Sequence, residues 1–239
     1  MHLFYYPEIK GESFVLNKTE SSHCVRVLRL SENDTIYLTN GRGSLYKACI
    51  VKPGKNECVL RILDVTEVQK ERDYSLQIAI APTKNIERFE WFIEKSIEIG
   101  VDRIIPLVCK NSERRIIKEE RLIKVMVAAM KQSLKAWLPE IDHLTTFPEL
   151  VQQQFSGNRF IATGSEPPEN HLGRMYDKGS DVLILIGPEG DFQLNEMELA
   201  IRNRFKPVSL GKSRLRTETA GLVACHSINF INSFQDNDL

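Results

Sequence analysis

From Tyr74 onward, apolar runs of strand length alternate with stretches of helical periodicity, a pattern that few folds accept. Strands of a parallel sheet are joined by crossover helices and buried on both faces, so they read as nearly continuous aliphatic runs. The run Val-Leu-Ile-Leu-Ile at 182–186 is the plainest case, and strands are also expected over 76–81, 104–108, 160–162 and 208–210. Ile86, Phe89, Ile93 and Ile97 recur at steps of three and four before Gly100, which predicts a helix with those four residues toward the sheet and the glycine at its C-cap. Further helices are expected over about 119–137, 195–205 and 217–234. The fold class is therefore α/β with a parallel sheet.

The first 70 residues read differently, as short strands at 14–16, 35–39, 45–51 and 57–65. Asn40-Gly41-Arg42-Gly43 and Pro53-Gly54-Lys55-Asn56 supply the positive-φ and proline positions of tight connections. A small β-barrel over 1–70 is expected, with one helix near 21–30. The charged stretch 67–73 is then the linker to a second domain over 74–239.

Composition narrows the partners. Lys plus Arg and Asp plus Glu each total 32, so a polyanion would have to meet a local patch rather than a bulk field. One such patch, Arg202, Arg204, Lys206, Lys212, Arg214 and Arg216, lies between Glu198 and Glu218 without an acidic residue. Alone it reads equally as a nucleic-acid patch and as a solvated helix face plus a basic loop. The five cysteines, Cys24, Cys49, Cys58, Cys109 and Cys225, form no CxxC pair, so reduced and mostly buried thiols are expected, with no metal site. The longest wholly aliphatic stretch, 182–186, is too short to cross a bilayer, and the first seven residues lack the basic region of a signal peptide. A cytoplasmic protein with no membrane partner is expected.

Neither a three-glycine dinucleotide fingerprint nor a GxxxxGK[ST] loop is present. Two other glycine-bearing loops each follow an expected strand: Ile186-Gly187-Pro188-Glu189-Gly190-Asp191-Phe192, and Leu210-Gly211-Lys212-Ser213-Arg214-Leu215-Arg216-Thr217-Glu218-Thr219-Ala220. Ligands of open α/β sheets bind beyond the carboxyl ends of the strands, so a pocket is expected there. Gly187 and Gly190 let a flat ligand approach the backbone, and Pro188 stiffens the turn. Thr217 or Thr219 can cap a helix opening at Ala220, leaving backbone amides directed at the pocket. Taken alone, the first loop reads sooner as a plain strand-to-helix turn and the second as an ordinary capped helix with a surface ion pair.

Together, and in this order, the two loops resemble the signatures of the RsmE-type 16S rRNA uridine N3-methyltransferases of the SPOUT superfamily. The likeness extends to His23-Cys24-Val25-Arg26-Val27-Leu28-Arg29-Leu30 with Asp34, to 84–101 with Arg88, Glu94, Lys95, Glu98 and Gly100, and to Lys131-Gln132-Ser133 with Pro139. Two departures stand out: Asp191 where the family has a second glycine, and Ser213-Arg214 where it has an Arg-Ile pair. The resemblance implies a PUA-like amino-terminal barrel for RNA, a carboxyl-terminal sheet tied in a trefoil knot, and a homodimer acting on 16S rRNA of the small ribosomal subunit. It implies S-adenosyl-L-methionine as cofactor, held by Ile186, Gly187, Pro188, Glu189 and Gly190, and by Leu210, Gly211, Leu215, Arg216, Thr219 and Ala220.

Methylating uracil N3 requires that nitrogen deprotonated, or its developing charge stabilised, with the methyl donor held in line. Arg216 is the first choice, because a guanidinium near O2 or O4 favours the anion without titrating; it can instead hold phosphate. Glu218 can take the proton or orient Arg216, and orientation ranks higher because an ordinary glutamate is a weak base here. Glu189 can satisfy backbone amides. For RNA, His23, Arg26 and Arg29 can share one helical face, and Lys84, Arg88, Lys131 and Lys135 are further candidates. Two alternatives remain at this point: a SPOUT enzyme acting on a ribose or another base, and a non-catalytic RNA-binding or assembly protein.

Overall fold

A computed structural model describes residues 2–70 and 72–234. It divides into two compact units, Met1–Glu71 with Met130–Leu138, and Arg72–Ala129 with Pro139–Leu239.

In the first unit, β1 (Leu3–Tyr5), β2 (Ser13–Leu16), α1 (Lys18–Ser22), β3 (Thr35–Thr39), β4 (Ser44–Lys52) and β5 (Cys58–Glu67) follow in sequence. The strands form one sheet in the order β1-β3-β4-β5-β2. The pairing of β1 with β3 is parallel, whereas β3 with β4, β4 with β5 and β5 with β2 are antiparallel. Register shifts between Lys47 and Ala48 and between Ile50 and Lys52 increase the local twist, so the expected barrel is a curled, half-closed sheet. Its concave face buries Phe4, Leu16, Ile36, Leu38, Ile50 and Leu60 around Cys24 and Cys58. In the β3–β4 turn, Asn40 Oδ1 accepts from the backbone N–H groups of Arg42 and Ser44 at 2.8 and 3.2 Å.

The expected helix at 21–30 is displaced. Asn17 caps α1, accepting from Glu20 N at 2.9 Å, and the chain then widens into a π-helical turn, His23–Val27. The turn ends before Arg29, which has φ +56°. His23, Arg26 and Arg29 therefore do not share a helical face. Of the expected linker, Glu67 still belongs to β5 and Glu71 lies outside the described residues.

The second unit contains β6 (Leu76–Ile80), α2 (Ile86–Ile99), β7 (Arg103–Val108), α3 (Glu119–Gln132), β8 (Glu140–Ile141), β9 (Thr145–Thr146), α4 (Phe147–Val151), β10 (Asn158–Ala162), α5 (Leu172–Met175), β11 (Val182–Ile186), α6 (Leu194–Arg202), β12 (Lys206–Val208) and α7 (Thr217–Ser233). Its sheet runs β12-β10-β11-β6-β7-β8, with β9 also on β7, and every pairing is parallel. All five residues of β11 are buried, as its aliphatic run predicts.

Helices cover both faces. Ala79, Ala81, Leu183 and Leu185 pack with Phe147, Leu150 and Val151 of α4 and Ala200 of α6. On the opposite face, α7 meets α2, β6 and β11. Gly221 makes that approach possible: a Cβ there would sit 2.7 Å from Phe92 Cε2 and 2.8 Å from Ile80 Cδ1. On α2, Phe89, Ile93 and Ile97 are buried as expected, together with Phe92 and Ser96, while Ile86 is half-buried; Gly100 caps the helix, donating to Ser96 O at 2.8 Å.

Several boundaries differ from expectation. The helix expected to reach residue 137 stops at Gln132, with Leu134 at φ +56°. Residues 130–138 instead belong to the first unit, where Trp137 Nε1 donates to Val68 O at 2.9 Å and Thr39 Oγ1 to Ala136 O at 3.0 Å. The last strand lies at 206–208 rather than 208–210, aligning Ala162 with Val208; its Pro207 is compatible with the sheet edge, where no further partner needs its N–H. The helix expected to end at 205 ends at Arg202, before Arg204 at φ +66°. All five cysteines are buried thiols outside any disulfide, and burial pushes the Cys24 thiol up to about 12. Among the described residues, no helix is long and apolar enough to cross a membrane.

Candidate active site

The loops that leave the carboxyl ends of β10, β11 and β12 enclose a cleft of about 690 Å³ in the second unit. That size falls within the range of roughly 300–1,000 Å³ usual for ligand sites. The loop after β11 is fixed from several sides. Asp191 N donates to Pro188 O at 2.9 Å, closing a turn, and Phe192 packs on Phe147 with ring centroids 5.4 Å apart. Asn111 Nδ2 donates to the carbonyls of Gly190 and Asp191 at 2.9 and 3.0 Å. The Glu189 carboxylate accepts from Lys84 N at 3.0 Å, the amide-satisfying arrangement considered for it. Gly187 leaves no easy room for a side chain, because a Cβ there would lie 3.1 Å from the Phe192 ring.

The second loop is tied to the first by one buried bond: Thr217 Oγ1 donates to Gly187 O at 3.0 Å. Thr217 is thus a cross-loop donor rather than a helix cap. The helix opens at Thr217, not at Ala220; Arg216 occupies the N-cap position, and no side chain caps it. Neither Thr217 nor Thr219 has the expected capping role, because the helix begins too early for either.

Of the residues expected at the cofactor, Ile186, Gly187, Pro188, Glu189, Leu210, Gly211, Leu215, Arg216 and Ala220 line the cleft. Gly190 instead faces Asn111, and Thr219 is half-buried in the first turn of α7. Arg88 lines the same cleft from α2. Glu218 does not; its side chain is 8% exposed and its Oε1 lies 3.9 Å from Arg88 Nε. The charged partner of Glu218 is therefore Arg88, not Arg216. Among the described residues, the Arg216 side chain makes no ion pair or hydrogen bond, and it is exposed at the cleft.

The other RNA candidates are not at this cleft. Lys84 pairs with Glu113 at 2.8 Å, and that bond and charge raise its pKa. In the first unit His23, Arg26 and Arg29 are exposed, with the His23 ring edge-on to Phe4 at 6.2 Å. Lys131 bridges Glu20 at 2.7 Å and lies 5.5 Å from the centre of the Phe4 ring, while Lys135 is half-buried.

Sequence reasoning did not single out Thr163 and Gly164, which line the cleft after β10, or Asn111, which pins the first loop. The strand-end rule applied to β10 would have found the first two. Asn111 carries no local signal. Lys212, Arg214 and Asp191 also line the cleft. Among the described residues, no group of three or more His, Cys, Asp or Glu side chains is arranged to hold a metal, and burial raises the nearby Cys109 thiol far above its ordinary range.

Together with its family matches, a parallel α/β sheet with a loop-built cleft at its strand ends and a curled, mostly antiparallel sheet make this an RNA methyltransferase of two-unit build. Residues 70–229 match the RNA methyltransferase domain family, and residues 16–63 match the RNA methyltransferase PUA domain. The chain is 31% identical over 213 residues to ribosomal RNA small subunit methyltransferase E of Rickettsia conorii, covering 87% of this chain and 85% of that protein. It superposes on the crystal structure of a probable rRNA-methyltransferase from Porphyromonas gingivalis with a TM-score of 0.91 and 43% identity, over 98% of this chain and 99% of that one. Ribosomal RNA small subunit methyltransferase E from Neisseria gonorrhoeae, solved bound to S-adenosyl methionine, gives a TM-score of 0.84 at 25% identity, over 97% and 98% of the two chains. The chain belongs to the RsmE family of small-subunit ribosomal RNA methyltransferases.

Proposed function

We propose that this chain methylates N3 of a specific uridine in 16S rRNA of the small subunit, with S-adenosyl-L-methionine as methyl donor, and that it works in the cytoplasm as a homodimer. The observation that carries the reading is the single cleft made by the two glycine loops, joined through Thr217 Oγ1 and Gly187 O, with an unpaired Arg216 on its wall. The donor set suits the cofactor. Buried Gly187 and Pro188 offer close-approach backbone, while the Glu189 and Asp191 carboxylates complement a cation. When bound, the cofactor supplies an electrophilic sulfonium methyl.

The chain's own residues do the rest. Gly187, Pro188, Glu189, Leu210, Gly211, Leu215 and Ala220 bind and orient, assisted by Ile186 at the end of β11. Arg216 presents a guanidinium to the uracil edge and favours the anion left when the N3 proton departs to water. His23, Arg26 and Arg29 supply exposed charge or hydrogen bonds for RNA from the π-helical turn after α1 and the residues just beyond it.

Two further parts of the reading rest on α7. We infer the trefoil knot from the chain path: β12 lies at one sheet edge, yet α7 packs against central β6 and β11. The dimer is supported by Phe230 of α7, 52% exposed, with the exposed His226 ring at 5.7 Å and the half-buried Phe234, just past the helix, edge-on to it at 4.7 Å.

Labelled methyl transfer to small subunits from cells lacking the enzyme, to protein-free 16S RNA and to tRNA, with nucleoside identification, tests the assignment. N3-methyluridine in the small subunit is expected. A ribose-methylated product or another base would overturn the specificity, and no transfer by folded, RNA-binding protein would overturn the activity.

A further inference from the structure

We infer that Glu218 is a positioning residue for Arg88, and that Arg88 and Arg216 together form a clamp of two guanidinium groups for the carbonyl oxygens flanking N3 of the uracil. The inference rests on the function proposed above and deepens it. Removing the N3 proton, which leaves to water, places negative charge on O2 and O4, one on each side of N3. A cation on each oxygen favours that anion and leaves N3 open between them.

The structure supplies two such cations from separate elements. Arg88 comes from α2 and Arg216 from the N-cap of α7, and both line the same cleft. Arg88 is 44% exposed there, and its Nε lies 3.9 Å from Glu218 Oε1. That distance allows charge pairing but not a hydrogen bond. Among the described residues neither guanidinium makes a side-chain hydrogen bond, so the donors of both are open to a ligand.

Glu218 is badly placed for a base. It lies beside Arg88 and outside the cleft lining, with its side chain 8% exposed. Its carboxyl stands in the first turn of α7, at the positive end of the helix dipole. A fixed carboxylate there offsets the repulsion between two guanidiniums in one cleft and restrains Arg88. The other charged groups facing the cleft are Glu189 and Asp191 from the first loop and Lys212 and Arg214 from the second.

Single-turnover methyl transfer to small subunits across pH, at saturating RNA and cofactor, tests the clamp in wild type, Arg88→Ala, Arg88→Lys, Glu218→Gln and Arg88→Ala/Glu218→Gln, with RNA and cofactor affinities measured separately. Arg88→Ala is expected to slow the saturated rate by about 100-fold, the scale of one oxyanion donor. It is also expected to move the pH at which the rate levels off upward, and Arg88→Lys to recover part of the loss. Glu218→Gln is expected to slow transfer about tenfold with both affinities unchanged, and the double variant to be no slower than Arg88→Ala, the signature of two residues acting as one unit. Losses that multiply in the double variant, or an Arg88→Ala effect confined to RNA affinity, would overturn the clamp. Arg88→Ala changes an exposed side chain and decides the matter by its pH profile even if Glu218→Gln does not fold. Absence of N3-methyluridine from the wild-type product would sink the reaction itself; a normal product with an unmoved Arg88→Ala profile would sink the clamp alone.

Discussion

At residue 191 the backbone turns left-handed, φ +58°, and an aspartate meets that demand. Asp and Asn tolerate this region better than other side-chain-bearing residues because they bond locally. Asp191 Oδ1 accepts from Phe192 N at 2.8 Å, and Oδ2 from Thr163 Oγ1 at 3.3 Å. Asp191→Gly is therefore expected to be nearly neutral in denaturant melts, trading two hydrogen bonds for an unstrained turn, whereas Asp191→Ala loses both and costs about 1–2 kcal/mol. Gly221→Ala forces a methyl onto Phe92 and Ile80, and melts are expected to show a loss of about 1–3 kcal/mol. The sequence revealed Asp191 as a departure but not its conformation, which the whole loop sets. Likewise Glu218 was legible as a charged neighbour of Arg216, yet its partner Arg88 is 130 positions away and only tertiary packing joins them.

Among the elements, β11 was fully legible because five consecutive aliphatic residues fit only a strand buried on both faces. The pieces β8, β9, α4 and α5, two to five residues each, were not, since a period cannot be read from so few positions. The cleft followed from the strand-end rule, but the bond that couples its two main loops did not. Thr217→Val leaves the buried Gly187 carbonyl without that donor, which is expected to cost about 1–3 kcal/mol in melts and to weaken cofactor binding by calorimetry. The start of α4 carries a pH signature. Glu149 accepts from Thr146 Oγ1 and N at 2.6 and 3.1 Å, and the first of these bonds chiefly lowers its pKa. A lowered carboxyl contributes stability that is complete above the ordinary glutamate range and is lost as pH falls through the lowered value. The small stability difference between wild type and Glu149→Gln is therefore expected to shrink and vanish on acidification through that window.

For the whole molecule, the change from alternating short strands to strand–helix alternation separated two kinds of architecture in the sequence. It did not reveal that residues 130–138 belong with the first unit, because a helical run that continues in composition stops at Gln132 for reasons of tertiary contact. The exposed Phe230 on α7 predicts a particle of twice the chain mass in sedimentation, reduced toward the single chain by Phe230→Glu. The central claim is that the cleft walled by Arg216 is where a uridine of 16S rRNA is methylated at N3. Single-turnover transfer from S-adenosyl-L-methionine to small subunits by wild type and Arg216→Ala, alongside cofactor affinity, tests it most directly. N3-methyluridine is expected from the wild type, with a rate about 100- to 1,000-fold lower in Arg216→Ala at unchanged cofactor affinity. An undiminished rate in a folded Arg216→Ala protein would contradict it.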